Sequence, residues 1–170
     1  MTIGDYRSKR GNFALFLYLC SRNKLRITKM NIYRATTWSK ELSEAIARLL
    51  PQLSKNATTP SREELTSLLA EENTHLIVAE ADGAIAGMLS LVIVNIPTGR
   101  KAWIEDVVVD EQFRGQNIGV RLVEFAIKTA KHLAVKKVYL TSSPSRQAAH
   151  ALYKKCGFEA YDTTVFRMKR

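Results

Sequence analysis

Along this chain the apolar residues alternate between a period near two and a period near 3.6, and each switch marks an element. A short β run begins at Ile32, inside NIYRAT. Ser39 then stands as an N-cap with Glu41 and Glu44 in the first turns. Leu42, Ala45, Ile46 and Leu49 recur at helical spacing until Pro51, which is expected to stop the helix. Gln52 to Thr59 is a polar loop, and Pro60 with Ser61 opens a second helix striped by Leu65, Leu68 and Leu69. His75 to Ala81 and Ile85 to Asn95 are strand-like runs around Asp82-Gly83, a hairpin signal. Lys101 to Asp110, reached through Pro97-Thr98-Gly99, completes an antiparallel meander. A third helix carries Ile118, Leu122, Ala126, Thr129 and Leu133 on one face and charges on the other. Lys137 to Thr141 is a further β run, parallel to the strand before that helix because a helical crossover joins them. A last helix runs from Ser143 or Ser145 to Cys156 and stops at Gly157, and Ala160 to Met168 supplies final strand material.

The stretch Trp103 to Val120, WIEDVVVDEQFRGQNIGV, stands apart. It reads as strand, loop and helix, with glycines at positions 115 and 119 of the turn. Glycines let backbone N–H groups converge, and a helix N-terminus adds unpaired donors and a positive dipole end. This is a phosphate-holding arrangement. The dinucleotide fingerprint GxGxxG is absent, and so is the Lys-Ser/Thr pair of a nucleoside-triphosphate loop.

Arg114-Gly115-Gln116-Asn117-Ile118-Gly119 resembles the Arg/Gln-x-x-Gly-x-Gly/Ala signature of the GNAT superfamily of N-acetyltransferases, with Asn117 in place of the first glycine. Downstream, Ser142 to Phe158 resembles the segment of that family ending Ala-x-x-Leu-Tyr-x-x-x-Gly-Phe, with Arg146 where many members carry Asn. The resemblance covers Met30 to Arg170. It implies an α/β (α+β) fold: a mixed sheet of about six to seven strands, an antiparallel meander then a parallel pair splayed at the cofactor site, and helices on both faces. It also implies acetyl-CoA as co-substrate and no metal. The diphosphate would be gripped by Arg114, Gly115, Gln116, Asn117, Ile118, Gly119 and Val120. The backbone of Val107, Val108 and Val109 would pair with the pantetheine arm, one of their amides facing the thioester oxygen, with Ser142 and Arg146 as further cofactor contacts. Tyr153 stands where the family carries the acid that protonates the leaving thiolate.

Attack on a thioester requires a neutral amine, and a carboxylate on the central strand is a reasonable proton acceptor. Alternation puts Glu105 and Asp106 on opposite faces unless a bulge intervenes, so one of them reaches the cleft. The Ile-Glu-Asp-Val-Val-Val stretch resembles the Glu-Asp pair of diamine and glucosamine-6-phosphate N-acetyltransferases. That resemblance implies Glu105 as base and Asp106 as a group that binds the amine. Which of the two is the base stays open on spacing alone.

With 170 residues and 46% hydrophobic content the chain suits one domain. No apolar run approaches the roughly 20 residues needed to cross a bilayer. The net charge of +10 is uneven: residues 1–29 hold seven Lys and Arg against Asp5 alone. That segment reads as a basic appendage, or the product of an upstream start codon, preceding a catalytic domain at 30–170. The rest is mildly positive, which suits a polyanionic cofactor and carries no nucleic-acid motif. Cys20 and Cys156 have no metal-site or disulfide spacing, which fits a reducing cytoplasm, and Cys156 reads as a structural thiol. The function expected is acetyl transfer to a primary amine of a small molecule, with no membrane partner; the sequence permits a homodimer. The alternatives are a non-catalytic acyl-CoA-binding regulator and an acetyltransferase of protein N-termini or lysines.

Overall fold

The computed structural model describes residues 27–168. Its strands β1 (Met30–Arg34), β2 (Thr74–Ala81), β3 (Ala84–Ile96), β4 (Gly99–Val109) and β5 (Lys137–Leu140) form one sheet in that order. Neighbours are antiparallel from β1 to β4, and β5 lies parallel to β4. The mixed sheet is as expected, but it has five strands, not six to seven. Ala160 to Met168 forms no strand, and Tyr161, Val165, Phe166 and Met168 are exposed. Strand propensity is realised only where a pleated, half-buried surface receives the side chains, and this segment has no ladder partner among the described residues.

Helix α1 (Lys40–Leu53) starts where Ser39 accepts the Leu42 amide and buries Leu42, Ala45, Ile46 and Leu49. It does not stop at Pro51. A proline in the last turn forfeits one intrahelical bond, and the turn closes beyond it as Ser54 N donates to Leu50 O at 3.0 Å. Helix α2 (Arg62–Ala70) opens with a capping box, Ser61 taking the Glu64 amide while Glu64 takes the Ser61 amide. Both pack on one face of the sheet, where Leu49, Leu65, Val78, Met88 and Val108 form a core. Helix α3 (Ile118–His132) covers the other face, over Ile77, Leu89, Leu91 and Ile104. Helix α4 (Gln147–Lys155) lies beside α3 and begins after Arg146, later than the Ser143 or Ser145 expected.

Asp82 and Gly83 both have positive φ, 48° and 85°, as a two-residue hairpin turn demands. The Asp82 carboxylate accepts the amides of Thr28 and Lys29, which anchors the chain ahead of β1. Apart from Ile27–Lys29, the basic N-terminal segment lies outside the described residues.

One irregularity shapes the sheet. Along β3 and β4 the pairs Gly87↔Val109 and Met88↔Val108 give way to Ser90↔Glu105, so Asp106 and Val107 together oppose Leu89. This is a bulge, and Asp106 takes φ 55° to make it. Gly87 admits the bulged strand: a β-carbon there would lie 2.8 Å from the Val108 carbonyl oxygen. Backbone cannot swing aside as a side-chain tip does. Gly87→Ala is therefore expected to lower stability by about 1–3 kcal/mol, read as a reduced denaturation midpoint with an unchanged m-value. A midpoint equal to that of the unaltered protein would refute the close approach.

Candidate active site

The parallel pair holds only over Lys101–Ile104 and Lys137–Leu140. Beyond it β4 runs on to Val109 while β5 ends, so the strands part and leave a cleft of about 490 Å³. Its walls include Glu105, Asp106 and Val107 from β4, Ser142 and Arg146 from the segment after β5, and Tyr153 from α4. The C-terminal end of α1, at Leu53 and Ser54, closes one side. Arg146 fastens it, its Nη2 donating to Leu53 O at 2.8 Å.

The bulge decides the question that alternation left open: both Glu105 and Asp106 border the cleft. Partial burial raises the Glu105 pKa above the ordinary carboxylate value, and the neighbouring Asp106 charge raises it further. Such a carboxylate holds a proton more firmly than a solvated glutamate. Burial also raises the Tyr153 phenol; Arg146 opposes that shift and Glu105 adds to it. Tyr153 is thus protonated throughout the neutral range. Its place is fixed by the end of α4, where Phe158 N donates to Tyr153 O at 3.0 Å across Gly157 at φ 87°. The Phe158 ring meets Tyr153 edge-on at 6.2 Å.

Past Ile104 the edge of β4 that faces away from β3 has no strand beside it among the described residues, and Val107 to Val109 lie along it. An extended amide-bearing chain can pair there as a further strand. Val108 contributes backbone only, because its side chain is buried in the core beneath α1. The loop follows. Gly115 has φ 81°, and Asn117 adopts φ 60°, ψ 15°, the left-handed conformation that asparagine bears better than most residues. Arg121 N is the amide that bonds back to Asn117 O, so those of Ile118, Gly119 and Val120 lie in the open first turn of α3. Gly119 serves packing as well: a β-carbon would lie 2.6 Å from the Leu152 side chain of α4. Arg114 turns inward, its Nε donating to Val109 O at 3.1 Å, and thereby braces the loop from below.

Two buried polar atoms bordering this path have no hydrogen-bond partner among the described residues: Ser142 Oγ in the cleft and Gln116 Nε2 in the loop. A ligand rich in phosphate and amide groups meets both needs, so the residues present fit coenzyme A. Among the described residues no cluster of His, Cys, Asp and Glu is arranged for a metal ion, and no helix is long and apolar enough to cross a membrane. Cys156 is half-buried, and burial pushes its thiol up, away from nucleophilic character. Cys20 lies outside the described residues.

Sequence reasoning missed Arg48 and Asp110. Asp110, expected at the end of a strand, is instead a buried cap whose Oδ1 accepts the Gln112 amide. Its Oδ2 accepts Arg48 Nε at 2.8 Å, and Gln52 takes the Glu111 amide, so α1 is tied to the start of the loop. Burial works to raise the Asp110 pKa, but the bonds from Arg48 and Gln112 outweigh it and hold the carboxyl below its usual value. An Asp between a β run and a loop is a capping signal. Its partner 62 residues away is not readable from spacing.

Known proteins agree with this geometry. Residues 40–158 match the model of the acetyltransferase (GNAT) family. The glucosamine 6-phosphate N-acetyltransferase of Arabidopsis thaliana is 35% identical over 98 residues, spanning 56% of this chain and 64% of that protein. The aminoalkylphosphonate N-acetyltransferase of Salmonella typhimurium is 27% identical over 76% of this chain and 85% of its own length. A solved structure of the Arabidopsis enzyme superposes with a TM-score of 0.67 at 25% identity, covering 82% of this chain and 98% of that one. A splayed parallel pair, a loop of open amides and a family match across 119 of the 170 residues lead to one conclusion: this chain belongs to the acetyltransferase (GNAT) family.

Proposed function

We propose that this protein transfers the acetyl group of acetyl-CoA to a primary amine of a small molecule, by direct attack while both substrates are bound. The observation that carries this reading is the cleft itself, which brings a carboxylate of raised pKa and a protonated phenol to the same opening.

The loop from Arg114 to Val120 holds the diphosphate, and the free edge at Val107 to Val109 aligns the pantetheine arm. The thioester then lies in the gap between β4 and β5. Glu105, directly or through one water, takes a proton from the incoming ammonium, and Asp106 attracts that ammonium into place. As the nitrogen bonds to the carbonyl carbon, charge gathers on the carbonyl oxygen, where a backbone amide of Val107 or Val108 stabilises it. The carbon–sulfur bond breaks, Tyr153 gives its proton to the departing thiolate, and the second proton of the attacking nitrogen passes back to the Tyr153 phenolate, leaving a neutral amide. Ser142 and Arg146 border the acyl end.

A small acceptor is supported by the relatives named above, whose substrates are an aminosugar phosphate and aminoalkylphosphonates. A regulator that merely senses acyl-CoA would have no use for the Glu105–Asp106 pair, whose mutual repulsion costs stability.

Tyr153→Phe is expected to lower kcat by about 10²–10⁴-fold while coenzyme A affinity, measured by calorimetry, stays within a factor of two or so. Unchanged turnover would remove Tyr153 as the acid. The acid limb of the kcat/KM profile should fall at a pH above the ordinary glutamate range and disappear in Glu105→Gln. A limb that persists in that variant would point to Asp106 instead.

Glu105 has a second consequence. Its folded-state pKa is raised, so its charge destabilises the fold above that pKa and has no effect below the unfolded value of about 4.3. Glu105→Gln should thus raise the melting temperature at pH 7, with the gain shrinking to nothing as pH falls through the carboxylate range. A gain independent of pH would contradict the assignment.

A further inference from the structure

The chain leaves α4 through Gly157 and runs from Phe158 to Met168 with neither helix nor turn. Five of the six residues from Tyr161 to Phe166 are β-branched or aromatic, the composition of a strand, yet none joins the sheet. The segment is nonetheless held in place. The Tyr161 ring tilts against Tyr139 of β5 at 5.8 Å, and Tyr139 in turn stacks on Trp103 of β4 at 5.4 Å. Four residues further on, Val165 borders the cleft together with Leu53 and Ser54. Outward from this path Val165 is 68% exposed, Phe166 91% and Met168 85%. With Tyr161 they make up four of the five large apolar side chains exposed among the described residues. Single exposed apolar residues are ordinary on a protein surface, whereas four within eight positions mark a contact surface.

We propose that residues 161–168 are where two copies of this chain pair. The segment of each copy lies antiparallel to that of the other across a two-fold axis at Val165, forming a ribbon along the rims of the two clefts. Each copy's segment thereby steadies the wall that the other's Val165 lends to its cleft. The pairing stands apart from the reaction and does not depend on it.

Four physical arguments select a second copy as the occupant. Among the described residues no backbone amide from Glu159 to Met168 has a hydrogen-bond partner, so the segment offers a free ladder edge, which another strand satisfies. Two-fold symmetry sets one residue of an antiparallel pair against its own counterpart. With Val165 in that place, Thr164 meets Phe166 and Thr163 meets Arg167, which puts a β-branched residue against an aromatic one and opposes no like charges. Charge points the same way. The chain carries +10, so two copies repel over most of their surface, but residues 158–168 hold Glu159 and Asp162 against Arg167 alone. The contact thus falls where that repulsion is absent, and a polyanionic partner has nothing to grip there. Lastly, the Tyr161–Tyr139–Trp103 stack already fixes the start of the segment, so little entropy is lost when a partner docks on it.

The test measures the mass of the full chain by sedimentation across a range of concentrations. The unaltered protein is expected to sediment as two chains. Phe166→Glu, at a side chain that touches little of its own molecule, should weaken the pairing roughly 30-fold, as loss of a central aromatic anchor does, and Met168→Glu should act in the same direction. The thermal midpoint of each variant, taken where the chain is already single, should match that of the unaltered protein diluted to the same state, which separates lost pairing from lost folding. Val165→Cys should form an intermolecular disulfide at position 165 under mild oxidation, whereas Glu124→Cys, on the exposed side of α3, should form none at position 124. A single-chain mass at every concentration would overturn the proposal and leave this face to a partner of another kind. A dimer that survives both glutamate variants, or that gives no cross-link at position 165, would overturn it equally. None of these readouts requires turnover, so a failure of the acetyltransferase reading would leave them unchanged.

Discussion

Everything functional in this molecule depends on a failure of pairing. β4 and β5 hold together for four residues, β5 ends at Leu140, and β4 runs on alone to Val109. The bulge at Asp106 drives the parting by adding a residue to β4 on its β3 side, which rotates and bends that strand. A bulge needs room, and the missing side chain at Gly87 provides it. The free edge of β4, the cleft and the orientation of both carboxylates follow from that one local geometry. Regular antiparallel pairing would have sent Asp106 to the face opposite Glu105.

The bulge alone would leave a wet gap, and two long-range contacts convert it into a shaped site. Arg48 reaches from α1 to the buried Asp110 at the foot of the loop, and Arg146 reaches from the head of α4 to the Leu53 carbonyl at the end of α1. The first is a one-sided pair: the Asp110 side chain is 2% exposed and that of Arg48 44%. Removing Arg48 would strand a buried carboxylate, with a penalty on the order of 3 kcal/mol. Keeping both groups fixes the loop relative to the helix that borders the cleft. The pair thus contributes registration more than net stability.

The regular elements were legible because their signals are local. Ser39 and Ser61 cap their helices as their positions suggest, Asp82-Gly83 makes the turn its composition favours, and the apolar stripe of α3 faces the core. Asn117 was legible as well, since its left-handed backbone is what a glycine at that position would have supplied. What stayed hidden depends on contacts between distant residues. The bulge arises from Gly87 meeting Val108, and nothing near Asp106 announces it. Arg48 and Asp110 look like ordinary surface charges until the fold brings them together. The segment from Ala160 to Met168 misled for the opposite reason, because it has strand chemistry without a strand to join.

The Glu105–Asp106 pair shows why such a site resists reading as pure fold. Two adjacent carboxylates at a strained turn, one at positive φ and the other partly desolvated, oppose stability on every count. A sequence shaped for stability alone would place an asparagine or glycine at 106 and a neutral residue at 105. Retaining both charges makes sense if the missing counter-charge arrives with the acceptor: an ammonium entering between them relieves the repulsion and lowers the raised pKa. In the proposed mechanism that relief would be withdrawn as the amine gives up its proton, which would make Glu105 a strong proton acceptor again. The strain held in the cleft is thus a preference for a cation, and the bulge is what keeps both carboxylates facing it.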